Sequence, residues 1–282
     1  MTHYADVGST VIVGQTREAA FAAHEDRFGH APIAREGRSG FAARIGRAYL
    51  LWGVVPSPLA VKVAENVLSL YEGDGGRGAA HEGAAHEGAA DGGAANGGAV
   101  NGGAVAPPNR IFYACYAGTH SSVLAASLHL GRVKDGDDLC DLPFFDRRES
   151  KDIGVPVRIG IDAYGSEVYA MGTGWLSARV EKPLCDLIEV ASPNAKACIC
   201  SVRGFLDVPA RCGGFASRRC RMVWPGRQII AASLGRRIPD MQEAVRRCLD
   251  LSRRWKDNEG QQKGEVVWIN GAERGRDRPG GQ

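Results

Sequence analysis

Ile111-Phe112-Tyr113-Ala114-Cys115-Tyr116-Ala117-Gly118-Thr119-His120-Ser121-Ser122-Val123-Leu124 is the stretch that decides the fold. Its first six residues are apolar or aromatic, a β-rich run that reads as a strand. A turn containing Gly118 follows, and Ser121 opens a helix that runs to 130 and closes at Gly131. The alternation continues downstream. Strands at 157–161 and 167–171 form a hairpin turning at Tyr164-Gly165, and a helical region at 175–190 restarts near Pro183. Short strands are expected at 197–202 and 228–233, and 240–254 is an amphipathic helix with Met241, Ala244, Val245, Cys248 and Leu249 on one face. Strands separated by helices predict an α/β domain over 109–256, with a parallel or mostly parallel sheet flanked by helices and a β-hairpin insertion. Residues 257–282 are polar and Gly-rich and read as a C-terminal tail, with a short strand possible at 266–269.

Upstream, residues 1–71 read as a small, mostly helical region, with a strand at 9–13 and helices at 17–28, 40–52 and 58–70. Ser57 as N-cap and Pro58 at the first helical position mark the start of the last helix. Between the two regions, 72–108 is a Gly/Ala-rich linker: 12 of the 38 glycines fall in 73–103, and 79–103 repeats with period five. Units this short cannot stack a core, so the segment is expected to act as a tether.

The loop 116–122 has the makings of an anion site. The first N–H groups of a helix lack intrahelical acceptors, the helix dipole is positive there, and Gly118 lets backbone approach a ligand closely. Thr119, Ser121 and Ser122 add hydroxyls at the same end. The Walker A signature is absent, with His120 near the place of its lysine. The spacing is closer to the phosphocysteine loop of sugar-phosphotransferase IIB components, where Cys is followed by Gly at +3 and Ser or Thr at +6 and +7; Cys115, Gly118, Ser121 and Ser122 fit it. A thiol beside a helix start is favoured as thiolate, which makes Cys115 a candidate nucleophile and His120 a candidate acid/base. No Arg stands at +6, against a tyrosine-phosphatase loop. The plain alternatives are a packing role for Cys115 and a capping role for His120.

Three segments resemble an uncharacterised bacterial family, the domain of unknown function 3189: Cys115 to Ser122, Asp162 to Tyr169, and Gly213-Gly214-Phe215-Ala216-Ser217-Arg218-Arg219. The family pattern has Cys-Tyr-Gly-Gly-Thr-His-Ser-Ser in the first, from which Ala117 departs. The resemblance spans roughly 110–255 and implies a shared fold without supplying an activity.

Arg218 and Arg219 are expected to bring guanidinium groups to an anion at the same sheet edge, with Arg236 and Arg237 as further candidates. Cys198 and Cys200 share a strand face, but no Cys-x-x-Cys pair exists, so no metal site is expected and no cofactor is named. The net charge of +3 hides a −3 amino-terminal part (1–106) and a +6 remainder. The basic residues of 201–256 lack interleaved exposed aromatics beyond Trp224 and Trp255, so a solvated helix surface is expected and nucleic acid is not. No apolar run approaches the ~18 residues of a membrane span, and the amino terminus lacks the pattern of a secretory signal, so a cytoplasmic protein with reduced cysteines and no membrane partner is expected.

These readings lead to a domain that binds a phosphorylated small molecule or nucleotide at 118–122, with phosphoryl transfer or hydrolysis as its possible chemistry. The alternative is a non-catalytic regulatory or assembly module in which the amino-terminal helices dock a partner.

Overall fold

Strand β4 (Arg110–Cys115) is buried along its whole length because it runs in the middle of a sheet covered on both faces. A computed structural model describes residues 10–30, 42–45, 48–72, 107–134, 138–147, 149–205, 223–258 and 263–272. In chain order the described elements are β1 (Thr10–Gly14), α1 (Arg17–Phe28), β2 (Ala42–Ile45), β3 (Ala48–Trp52) and α2 (Pro58–Glu72). After β4 come α3 (Ser121–His129), β5 (Val157–Ile161), β6 (Glu167–Gly172), α4 (Ala178–Ala191) and β7 (Lys196–Ser201). The chain then forms α5 (Val223–Gly235), α6 (Ile238–Asp257) and β8 (Glu265–Asn270).

The larger sheet has the order β5-β6-β4-β7-β8, mostly parallel, with only β5 antiparallel to its neighbour. The side chains of β4 divide by parity, as a pleated strand requires. Ile111, Tyr113 and Cys115 point into a core made with α3, α5 and α6. Phe112 and Ala114 point the other way, into a core shared with α2, α4 and the smaller sheet β1-β3-β2. On the far side of that smaller sheet, Ile12 and Leu50 meet Phe21 and Phe28 of α1. The result is five layers: α1, the small sheet, α2 with α4, the large sheet, and α3 with α5 and α6.

Local chemistry sets the element ends. Thr16 Oγ1 accepts from the Ala19 N–H at 3.1 Å and Ser57 Oγ from the Ala60 N–H at 3.1 Å, so α1 and α2 both begin on hydroxyl caps. Ala60, Val63, Ala64, Val67 and Leu68 recur at helical spacing on α2 and are all buried. Each Val or Leu there contributes about 1.5–3 kcal/mol through the area it removes from water. Arg110 stacks over the Tyr71 ring at 4.5 Å and bonds Glu167 at 3.0 Å, tying the end of α2 to the large sheet.

Two expected elements differ. The helix expected over 40–52 is a pair of strands, β2 and β3, because β3 lies between β1 and β2 with helices on both faces. Its Ala-Tyr-Leu-Leu run is buried on both sides and so shows neither a helical nor an alternating period. The strand expected over 228–233 is part of α5. There Ile230, Ser233 and Leu234 are buried while Ile229 and Ala232 are exposed, a helical spacing inside a short apolar run. The segment at 266–269 is the core of β8, which completes the large sheet. The five-residue repeats, Cys212, Cys220 and the segment 213–219 lie outside the described residues. The six described cysteines are free thiols, and among the described residues no helix is long and apolar enough to cross a membrane.

Candidate functional site

The loop after β4 folds back over the sulfur that ends the strand. The Gly118 N–H donates to Cys115 Sγ at 3.2 Å, and Ser122 Oγ, in the first turn of α3, lies 3.2 Å from the same sulfur. Gly118 reverses the chain with φ +72°, a conformation open to glycine without a Cβ penalty. A second glycine makes room beneath it: a Cβ on Gly172, at the end of β6, would sit 2.7 Å from the Ala117 carbonyl carbon and 3.0 Å from the Gly118 nitrogen. The loop is held from the next strand as well, since the Thr173 N–H donates to Cys115 O at 2.9 Å and the Gly174 N–H to Tyr116 O at 2.8 Å.

From the other side the loop is clamped by the turn 142–147. Thr119 Oγ1 donates to Phe144 O at 3.1 Å, and the Asp146 N–H donates to Thr119 O at 3.1 Å. Phe144 and Asp146 both have left-handed backbone, with φ +67° and +52°, which a non-glycine residue adopts at a cost of order 1–3 kcal/mol. That turn places the Asp146 carboxylate 2.9 Å from His120 Nε2, with both side chains buried and the imidazole packed edge-on to Phe145 at 5.3 Å. The carboxylate thus fixes the orientation of the imidazole ring. Arg227 of α5 braces the same turn by donating to the carbonyls of Cys140 and Phe145.

Ser121 Oγ, at the first residue of α3, is buried and has no hydrogen-bond partner. A buried hydroxyl left unpaired costs roughly 1–3 kcal/mol, so its position at the helix start marks a place where an incoming acceptor would be welcome. The hydroxyl lies at the helix N-terminus, in the same loop as Cys115.

The location agrees with the topology. The chain steps from β4 to β6 on one side and from β6 back past β4 to β7 on the other, so the carboxyl ends of β4 and β7 flank a switch point, where open α/β sheets bind ligands. Arg203, just after β7, lies there: its guanidinium stacks on Tyr116 at 5.3 Å and donates to Gly174 O at 2.7 Å. Behind the loop Glu181 is fully buried. Burial pushes its carboxyl above the usual range, while hydrogen bonds from Thr173, Trp268 and Ser201 and the charge of Arg203 draw it back.

Of the residues singled out in the sequence, Cys115, Gly118, Thr119, His120, Ser121 and Ser122 come together in this loop. Arg218 and Arg219 lie outside the described residues. Arg236 and Arg237 occupy the turn between α5 and α6, where Arg237 makes a surface pair with Asp240 at 3.4 Å. That turn borders a cavity of about 310 Å³ lined by Leu128, Leu139, Ala231, Gly235 and Ile238, beyond the other end of α3 and without any loop residue. Cys198 and Cys200 share a face, as their spacing implies, and pack against Cys248 in the core, where their bonding to Cys248 and burial push both thiols up. Among the described residues no group of three or more His, Cys, Asp or Glu side chains is gathered to hold a metal ion. Asp146, Glu181 and Arg203 are the additions of the structure. None stands in a motif, and each reaches the loop only through tertiary packing.

Residues 110–249 match the family described as Protein of unknown function (DUF3189). That segment, 140 of the 282 residues, is a domain of that family. No curated protein and no solved structure matches the chain. The DUF3189 segment begins at the first residue of β4 and ends within α6, so it contains the whole loop, the Asp146 turn, Glu181 and Arg203.

Proposed function

We propose that the loop 117–122 binds the phosphoryl group of a phosphorylated small molecule or nucleotide and that Cys115 accepts that group. The observation that carries the reading is the closure of the loop on Cys115 Sγ by the Gly118 N–H and Ser122 Oγ, at a helix start whose Ser121 hydroxyl is buried and unpaired. Donors so placed stabilise the charge that accumulates on phosphoryl oxygens. The sulfur attacks phosphorus, an S–P bond forms as the ester P–O bond breaks, and the leaving oxygen takes a proton from His120. Water then attacks phosphorus, gives a proton back to His120, and the S–P bond breaks to release inorganic phosphate and regenerate the thiolate. Asp146 keeps the imidazole oriented through both steps.

The test uses the full chain. Thermal unfolding is followed with inorganic phosphate, sugar phosphates and nucleotides, and phosphate release is measured for the compounds that bind. A ligand at 100 times its Kd adds about 2.7 kcal/mol of stability. Cys115→Ser is expected to abolish release, and His120→Ala to slow it by roughly 10²-fold or more. Release that persists unchanged in Cys115→Ser refutes the covalent step. A panel in which no phosphate compound shifts the melt refutes the site.

A further inference from the structure

Two features at the mouth of this loop remain unexplained by phosphate binding. Tyr116 and Trp175 are 45% and 51% exposed, and among the described residues they are the only exposed aromatic side chains of Phe, Tyr or Trp type. Single exposed apolar residues need no explanation, but these two share one sheet edge. Tyr116 follows Cys115 directly, and Trp175 follows Gly174, whose N–H donates to Tyr116 O at 2.8 Å. The two turns are therefore stitched together side by side above the carboxyl ends of β4 and β6.

The Tyr116 ring is held in place, and so is the backbone that carries Trp175. Arg203 lies over the Tyr116 ring and is bonded to Gly174 O, so one guanidinium fixes the ring on one turn and the backbone of the other. The turn that carries Trp175 is closed by the Leu176 N–H donating to Thr173 O at 3.2 Å and contains left-handed backbone at Gly174 and Ser177, with φ +58° and +48°. An aromatic ring held against a cation, with a second aromatic on the turn bonded to it and both open to solvent, matches the chemistry that stacks a planar ring.

We infer that the phosphate recognised by this loop is carried by a planar aromatic ring, which stacks on Tyr116 and Trp175 beside Arg203. The inference rests on the phosphate-site reading above and specifies its substrate class: an aromatic phosphate monoester, whose ring is either a nucleobase joined through ribose or an aryl group joined directly. The geometry assigns the three loops after β4, β6 and β7 distinct duties, the first gripping phosphate and the other two framing the ring.

The experiment measures the affinity of the full chain for glycerol phosphate, ribose 5-phosphate, phenyl phosphate and a purine nucleoside monophosphate. It is repeated in Trp175→Ala, Tyr116→Ala and Trp175→Phe. The readout is the ratio of ring-bearing to ringless affinity. In the parent chain this ratio is expected to be about tenfold or more, falling toward one in the alanine variants and returning in Trp175→Phe. Quenching of tryptophan fluorescence by the ring-bearing ligand, lost in Trp175→Ala, is the independent sign of stacking. Whether phenyl phosphate or the nucleotide carries the larger ratio distinguishes a directly joined ring from a base. If all four compounds bind with similar affinity, or if the ratio survives both alanine variants, the ring inference is overturned while the phosphate site stands. If none binds, the phosphate site falls and the inference with it.

Discussion

Gly172→Ala tests the geometry of the loop with a single methyl group. Gly172 ends β6, and its added Cβ would stand 2.7 Å from the Ala117 carbonyl carbon, 2.8 Å from the carbonyl oxygen and 3.0 Å from the Gly118 nitrogen. Carbon atoms in contact prefer about 3.5–4.0 Å, so the loop must retreat by roughly 0.8 Å or the strand must yield. All three contacts are backbone, so no side chain can swing aside. The loop is also pinned through Thr173, Gly174 and the Asp146 turn, which leaves the Gly118 to Cys115 Sγ bond, at 3.2 Å, as the contact with least slack. Overpacking of this kind costs about 1–3 kcal/mol, which for a chain of this size lowers Tm by roughly 2–4 °C per kcal/mol. The expected variant is folded, modestly less stable, and changed in the rate at which Cys115 is alkylated, as measured by mass spectrometry under native conditions. Phosphate affinity is expected to fall with it. A variant that melts with the parent and alkylates Cys115 at the parent's rate refutes the close approach of Ala117 and Gly118 to β6.

Two further outcomes follow from the packing and the buried charges. Asp162 is buried, which by itself opposes its charge, but hydrogen bonds from His129 and Ser252 and from the Ser166 and Tyr164 N–H groups outweigh this and hold its carboxyl below the usual range. Its stabilising contribution is therefore full above the unfolded value near 3.8 and is lost as pH falls through the lower native value; Asp162→Asn is expected to flatten the acid limb of a urea-denaturation profile, and an unchanged limb refutes it. Deleting residues 1–72 strips α2 and the small sheet from Phe112, Ala114, Leu184 and Leu187, so the remainder is expected to lose its cooperative thermal transition; a sharp calorimetric transition at the parent Tm overturns the shared core.

Much of this architecture was legible where one local signal acted alone. Helix α1 occupies the residues expected of it, and the structure shows Thr16 as its cap and Gly29 as its stop. The β5–β6 hairpin was marked by its Tyr164-Gly165 turn, and the β4-loop-α3 unit by its apolar run and Gly118. The failures share a cause. Ala48–Trp52 and the Ile229-Ile230-Ala231-Ala232 run are short and apolar, and only their neighbours decide between strand and helix. The site divided in the same way. Its contiguous half, Cys115 to Ser122, could be read from spacing. Asp146, Glu181 and Arg203 come from three separate segments, and nothing in their local sequence reports that Thr119, Thr173 and Tyr116 will draw them to one sheet edge.

Tyr71 and Arg110 flank the 72–108 segment in sequence, yet their side chains stack on each other. The surfaces that meet there, α2 and the small sheet on one side and the large sheet on the other, are apolar like the core of an obligate interface. The two parts of the chain thus share one core within a single polypeptide. Because both parts travel on a single backbone, their pairing is intramolecular and independent of protein concentration, and the loop after β4 is never made without the half that supports its sheet.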